Sequence, residues 1–411
     1  MRLFQLLALV VAGEAIFALP FVIPRVFRPV LMDGLGIDNT TLGWAFSIYG
    51  IVALISYGLG GPLADRFSVR PLMATALLST AAGGLWMAMQ PSVASLYVLY
   101  GLWGATTILL FWAGLMRATR EWGGPQTQGT AYGLLDGGRG LFAAVVSSLA
   151  VWLFAVVGDP AEPSWDALQA VILCSSALTA SAAGLVWVAL PPPTTRLVGI
   201  DLGHIASVAR RPAVWLQAGI ILCAYVGYKS TDVLSLYASE VLGSGDTASA
   251  AVGTIAFWIR PVAALAAGVL ADRIGGWKTL AIAFAAMALG SIGLSAGALA
   301  PGWTAFLLTL STTCAGVYAL RGVYFSVFGR AGIPVAATGT AVGIVSIVGY
   351  TPDIFMGPVI GWVLDGSPGG AGHSQLFLGI AGVAMLGVIL TLAFAWVTRH
   401  TAHMPGVTSK A

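Results

Sequence analysis

Long apolar runs separated by short polar ones make up this chain from one end to the other. Runs of about 20 residues are what a helix needs to cross the apolar core of a bilayer. The pattern predicts helices over residues 3–30, 42–62, 72–89, 94–116, 130–157 and 167–190. A second set follows over residues 214–239, 248–270, 279–300, 304–328, 335–364 and 375–397. Between the sets lies the longest polar connection, which opens on Pro191-Pro192-Pro193-Thr194-Thr195-Arg196 and runs through Arg211. The expected organisation is a six-helix bundle over 1–190, a linker over 191–213 and a second six-helix bundle over 214–411. The first run is expected to be a membrane helix rather than a leader. It is too long, carries Glu14 and lacks a small-residue cleavage site followed by a soluble domain.

Composition agrees with that pattern and removes the soluble alternatives. Apolar residues make up 58% of the chain and charged residues 9%, with a mean hydropathy of +0.90. A soluble domain has about a quarter of its residues charged. The formal charge of +3 is scattered over loops and helices, so it is no nucleic-acid footprint. Cys174, Cys223 and Cys314 all fall inside apolar runs without metal spacing and are expected to be buried bystanders. His204, His373, His400 and His403 are placed in loops or the tail, and no phosphate-binding loop occurs. An enzyme, a metal site and a cofactor are therefore not expected, and energy must come from gradients.

Loop charge sets the orientation. One set of connections carries Arg66, Arg70, Arg117, Arg120, Arg196, Arg210, Arg211, Arg273, Lys278 and Arg330, and the termini add Arg2, Arg399 and Lys410. The opposite set carries Asp33, Asp38, Asp159, Glu162, Asp166, Asp246 and Asp365. Basic loops stay cytoplasmic, so both termini are expected there, which requires an even number of spans. Twelve fits. The fold class expected is an all-α membrane protein of twelve transmembrane helices in two pseudo-symmetric bundles.

Two internal echoes suggest duplication. Gly61-Pro62-Leu63-Ala64-Asp65-Arg66-Phe67-Ser68-Val69-Arg70 returns as Gly268-Val269-Leu270-Ala271-Asp272-Arg273-Ile274-Gly275-Gly276-Trp277-Lys278. Gln128-Gly129-Thr130-Ala131-Tyr132-Gly133 returns as Thr338-Gly339-Thr340-Ala341-Val342-Gly343. In the charged turn, Asp65 can pair with Arg66 or Arg70 or meet the positive end of a helix from the other half. Gly61 admits a close neighbour. Gly61, Asp65, Arg66, Arg70, Gly268, Asp272 and Arg273 are thus candidate gating residues, against the plainer reading of a topogenic basic loop.

On Gly61, Leu63, Ala64, Asp65, Arg66 and Arg70, with twelve spans and a central linker, the chain resembles the major facilitator superfamily over nearly its whole length. Ser68 stands where that family usually has Gly. The stretches Phe111-Trp112, Arg117-Ala118-Thr119-Arg120-Glu121-Trp122-Gly123, Leu134 to Gly140 and Gly349-Tyr350-Thr351-Pro352-Asp353 resemble a bacterial branch grouped with nitrate/nitrite and organic-anion porters. Nitrate porters resemble one another in an Arg on helix 2 and another on helix 8. Helix 2 here has none within its apolar run, which argues against nitrate itself. The resemblance implies a carrier that works by alternating access as a monomer in the bacterial cytoplasmic membrane.

Charge inside the membrane needs a reason, because even gentle insertion scales put its cost at about 2.5–3.5 kcal/mol. The candidates are Glu14 on helix 1, Asp136 and Arg139 on helix 5, Lys229 and Asp232 on helix 7, Arg260 on helix 8, Arg321 on helix 10 and Asp353 on helix 11. Helices 3, 6, 9 and 12 have none, and the resemblance makes those the outer supports around a cavity lined by the other eight. Asp136 with Arg139, and Lys229 with Asp232, are spaced to meet on one helix face. Each pair is either self-neutralised or functional. Arg260 and Arg321 have no acid within four positions, so their partners come from other helices or from the cargo. Arg260, near the midplane and followed by Pro261, is the leading substrate ligand. Arg321, Arg139, Lys229, Tyr225, Tyr228 and Tyr318 are the others. Tyr237 and Tyr324 are expected to be interface aromatics, Arg25 and Arg28 to lie near the outer mouth, and Arg28 to snorkel.

A guanidinium fork suits carboxylate, sulfonate or phosphate. A carboxyl withdrawn from water can titrate near neutral pH. Glu14 and Asp353, and secondarily Asp136 and Asp232, are the candidates for proton coupling, or else ion-pair partners of the cations. The function expected is a secondary carrier for a small organic anion, with protons and lipids as its other partners. The alternative is a proton-driven exporter of drugs or metabolites. Drug antiporters of the family share Gly-Pro-x-x-Gly-Gly on helix 5, which here lacks the Pro. A similar Gly357-Pro358-Val359-Ile360-Gly361 stands on helix 11 instead.

Overall fold

The computed structural model describes residues 2–123, 128–158, 165–191, 210–327 and 338–401. Among them every regular element is helical. The helices are α1 Arg2–Phe17, α2 Ile23–Val26, α3 Arg28–Leu35, α4 Asn39–Arg66, α5 Val69–Met87 and α6 Val93–Gly104. They continue with α7 Ala113–Gly123, α8 Gln128–Val157, α9 Trp165–Ala189, α10 Pro212–Ser230, α11 Leu234–Glu240 and α12 Asp246–Ile274. The last are α13 Gly276–Leu299, α14 Trp303–Val323, α15 Thr338–Gly349, α16 Pro352–Gly366 and α17 Gly370–Thr401. Ten stretches of the described residues are long and apolar enough to cross a membrane. α5 and α10, which lie outside those ten, stand where the third and seventh runs are expected. Trp362 and Val188 remain 76% and 74% exposed, as befits helix faces turned to lipid rather than water.

Four of the expected continuous helices are interrupted, the fourth by a π-helical stretch over Ala105–Trp112 between α6 and α7. The first run divides into α1, a π-turn over Ala18–Val22, α2 and α3. Pro20 lies in the π-turn, and Pro24 and Pro29 lie in the first turns of the pieces that follow. Proline lacks the N–H that would continue the ladder. The seventh run breaks at a short 3₁₀ turn, Thr231–Val233. The eleventh breaks at Tyr350 and Thr351 and restarts with Pro352 in the first turn of α16. By contrast Pro261 sits inside an unbroken α12. The two Gly-Thr echoes each open a helix, α8 at Gln128 and α15 at Thr338.

α4 packs along α16, and α8 along α12, so elements before the linker meet elements after it at two long seams. The first seam is built on absent side chains. A Cβ on Gly50 of α4 would lie 2.6 Å from the Asp353 backbone of α16, and one on Gly357 would lie 3.0 Å from the Gly43 Cα. The Gly-Pro-x-x-Gly element is thus a helix-contact surface, as small residues are in membrane bundles. At one end the seam is tied by Asp365. Its carboxylate accepts the Thr40 N–H at 2.7 Å, the Asn39 N–H at 3.2 Å and the Asn39 side-chain amide at 3.1 Å. Arg28 donates to the Asn39 oxygen at 3.0 Å and is 2% exposed. It therefore does not snorkel; Asn39 gives it a buried acceptor. At the other end of α8 and α12, a Cβ on Gly133 or Gly268 would meet nothing within 4 Å.

The turn between α3 and α4 closes with Gly36 in the left-handed region, φ 61°, a conformation glycine adopts without steric cost. Asp38 then caps α4, accepting the Thr41 N–H at 2.7 Å. Hydrogen bonds from the side chain and backbone of Thr41 hold the Asp38 carboxyl below its ordinary pKa. Asp38→Ala should lower stability by about 1 kcal/mol. Because the folded state favours the ionised form, that contribution is complete above about pH 4 and fades as the pH falls through the folded pKa. Thermal melts of both proteins at pH 7 and pH 3 check this: the gap seen at pH 7 should narrow at pH 3.

Candidate functional site

Side chains from both parts of the chain converge on one cavity, water-accessible over about 100 Å³. Its walls include Glu14, Phe17, Arg139, Trp112 and Tyr57 from before the linker. Tyr225, Tyr228, Lys229, Arg260, Arg321, Tyr350 and Asp353 come from after it. The charges fall into two clusters and one outlier.

The first cluster joins α1, α8 and α12. Glu14 forms ion pairs with two arginines, with Arg139 Nε at 3.2 Å and Arg260 Nη1 at 3.6 Å. Arg260 also donates to Asp136 at 3.0 Å. The Asp136–Arg139 separation is 4.0 Å, so the expected self-neutralised pair on α8 is the weakest contact of the four. Arg139 instead turns toward Glu14 and lies over the Phe17 and Trp112 rings.

The second cluster forms where α2, α10 and α16 meet, and the helix breaks create it. The 3₁₀ turn presents Asp232 between Arg25, whose Nε donates at 2.7 Å, and Lys229 at 2.8 Å. Lys229 also reaches Asp353 at 3.5 Å, and Tyr225 donates its hydroxyl to Asp353 at 2.9 Å. Arg25 donates to the Tyr228 hydroxyl at 3.1 Å. Arg25, Lys229 and Asp232 are each at most 3% exposed. Such a group is costly unless every charge is paired, and here every one is.

Arg321 is the outlier. It lies over the Tyr228 ring at 4.0 Å and near the Tyr225 ring at 5.6 Å. Among the described residues no carboxylate pairs with it, and its buried Nη1 has no hydrogen-bond partner.

Several expectations change on this geometry. Arg260 is tied to Glu14 and Asp136 from other helices, and Arg321 is the cavity cation with no carboxylate partner among the described residues. Glu14 and Asp353 have ion-pair partners, which spacing along one helix does not reveal. Arg25 belongs to the site and not to the mouth; the signal available was its place between Pro24 and Pro29, in a helix broken where it lines a cavity. Tyr57 and Tyr350 were also missed as lining residues. Tyr318 is buried with its hydroxyl unpartnered. Tyr237 and Tyr324 are buried rather than interfacial, with the Tyr237 hydroxyl on the Leu294 carbonyl at 2.9 Å. His373 lies inside α17, fully buried and 3.0 Å from Glu240, and His400 is also within α17. Cys223 and Cys314 are buried as expected, but Cys174 is exposed on a helix face.

The charged turn is only partly visible. The side chains of Gly61, Asp65 and Arg66 lie outside the described residues. Arg70 stacks on the Trp187 ring at 4.5 Å. In the second copy Asp272 and Arg273 are exposed, and Gly268 faces open space instead of a close helix.

The sequence profile of the Major Facilitator Superfamily matches residues 10–356. The chain belongs to this superfamily. It is therefore an integral membrane transporter and not an enzyme. The inner membrane protein YqcE of Escherichia coli (strain K12) is 26% identical over 376 residues, 88% of this chain and 86% of that protein. The probable nitrate/nitrite transporter NarK2 of Mycobacterium tuberculosis is 27% identical over 314 residues, 72% of this chain and 74% of that protein. Among solved structures, a bacterial homologue of the human lysosomal transporter Spinster, in an inward-facing and unoccupied conformation, superposes with a TM-score of 0.75. It is 14% identical and covers 98% of this chain and 99% of its own. The nucleoside transporter NupG also reaches 0.75, at 16% identity over 97% of this chain and 100% of its own. At these identities the superfamily member shares the fold with both, and no more is carried over.

Proposed function

We propose that this superfamily member is a secondary carrier for a small organic anion, such as a carboxylate or sugar acid, coupled to protons. The observation that carries the reading is the charge of the cavity. Arg25, Arg139, Lys229, Arg260 and Arg321 face it, while the carboxylates paired in its two clusters are Glu14, Asp136, Asp232 and Asp353. The cations exceed the carboxylates by one. A relative named as a probable nitrate/nitrite transporter is compatible with an anionic cargo. The site lies between two bundles, residues 1–190 and 214–411, that rock about it; α5 and α10 complete twelve spans with both termini cytoplasmic. Relatives named as inner membrane proteins support placement in the bacterial cytoplasmic membrane. The working unit is a monomer, and Arg70, Asp272 and Arg273 belong to its cytoplasmic gate.

Ligand binding raises the melting temperature by mass action. Purified protein should be stabilised by members of an anion panel and not by neutral sugars or cationic drugs. Stabilisation by cationic amphiphiles alone would replace this reading with the exporter, which the aromatic cavity walls would also suit. Coupling is read in proteoliposomes. Glu14→Gln, which removes the carboxylate shared by two arginines, should abolish uptake driven by a pH gradient yet leave counterflow exchange measurable. Gradient-driven uptake surviving in both Glu14→Gln and Asp353→Asn would remove proton coupling from the proposal.

A further inference from the structure

We infer that the cavity is built for a cargo of one negative charge, anchored on Arg321 within a cluster of tyrosines. This rests on the anion-carrier reading and narrows it. Four of the five cavity cations already have a carboxylate within 4.0 Å: Arg25, Arg139, Lys229 and Arg260. A cargo carboxylate that docked on any of them would have to displace a resident one. Arg321 needs no displacement. It leaves the end of α14 with one buried nitrogen unbonded, and a guanidinium carries five N–H donors. Ring faces satisfy its charge in part but accept few of those hydrogen bonds.

The surrounding hydroxyls are largely committed. Tyr225 serves Asp353, Tyr228 accepts from Arg25, and Tyr350 faces Tyr324 at 3.5 Å. The Tyr225 ring packs 4.9 Å from that of Tyr350, which lies 6.0 Å from Tyr57. Aromatic faces and one open fork therefore meet at this point, and a planar monocarboxylate satisfies the fork in bidentate fashion. With that anion bound the site is electrically neutral. A second negative charge finds only paired cations and four carboxylates in a region of low dielectric, where like charges repel strongly.

Matched probes test this at pH 7.5: butyrate against succinate, and gluconate against glucarate, with glucose and a cationic dye as controls. Affinities come from titration calorimetry and melting shifts on the full-length carrier. In the pair that binds, the monoanion should bind at least about tenfold more tightly than the dianion. Arg321→Gln should weaken it by about 10- to 100-fold, the worth of a charged hydrogen bond. Arg321→Lys should recover only part, since an ammonium lacks the fork. The unliganded Arg321→Gln protein should melt no lower than the wild type, because no ion pair is lost; a residue with a structural role would not behave so. Equal or tighter dianion binding, or full affinity in Arg321→Gln, overturns the inference and leaves the anion carrier standing. Binding of glucose or the dye with no response to any anion overturns both.

Discussion

Asp232→Ala is expected to destabilise the folded carrier by about 3–5 kcal/mol, the cost of stripping a buried ion pair of one partner. Both carboxylate oxygens of Asp232 are engaged, one by Arg25 at 2.7 Å and one by Lys229 at 2.8 Å. Without them Arg25 keeps the Tyr228 hydroxyl and the Tyr228 and Phe257 rings, and Lys229 keeps the longer contact to Asp353 and the Phe21 and Phe46 rings, none of which replaces a close carboxylate. Two cations would then repel each other where water cannot screen them. Thermal unfolding in detergent should show the loss directly. The double variant Arg25→Met with Asp232→Ala should recover part of it, because an apolar replacement of both partners removes the stranded charge. A single variant that melts like the wild type would mean that Arg25 and Lys229 find other partners, and that the cluster is not the structural joint between α2 and α10.

Gly357→Val is expected to leave the protein folded and to disable the closed seam between α4 and α16. A Cβ at Gly357 already falls 3.0 Å from the Gly43 Cα, and the valine methyl groups extend further. Overpacking of this kind costs about 1–3 kcal/mol, which shifts a two-state equilibrium by about 5- to 150-fold. The cost falls only on the state in which α4 and α16 touch, so the population should move to the state in which they part. Ala53 lines the cavity side of α4, and Ala53→Cys in a Cys174→Ser background reports that movement. A membrane-impermeant thiol reagent added from the Asp365 side should label the cysteine only when Gly357→Val is present, and uptake should fall by the same factor. Asp365→Ala, which frees the Thr40 and Asn39 donors, should act in the same direction but less strongly. Unchanged labelling in both would show that the seam does not gate the cavity.

Much of the fold was legible because it depends on local chemistry. A run of apolar residues has one low-energy option in lipid, a helix that satisfies its own backbone. So residues such as 279–300 and 375–397 could be placed without knowing any neighbour. The same locality explains why charged positions on the first, fifth, seventh, eighth, tenth and eleventh runs pointed to one cavity. Breaks were less legible. Pro20, Pro24 and Pro352 mark backbone weakness, but whether a ladder breaks depends on what packs against it. Pro261, inside the intact α12, shows the other outcome.

Partnership was legible only at short range: Lys229 and Asp232, three residues apart, do pair at 2.8 Å, but partners from different helices could not be read from the chain. Arg25 and Asp232 are 207 residues apart, and Arg260 and Asp136 are 124 apart. Spacing along one helix favoured Asp136 with Arg139, yet Glu14 on another helix lies nearer to Arg139, at 3.2 Å against 4.0 Å. The sequence by itself determined the apolar segments, the charged positions among them and the duplicated turn, because each follows from the residues within a few turns of helix. Only the tertiary structure decided which charges neutralise one another and which stays open. Arg260 proved to be paired and Arg321 open, because a buried charge is defined by what lies within a few ångströms of it in space, and in this transporter those neighbours come from helices far apart in the chain.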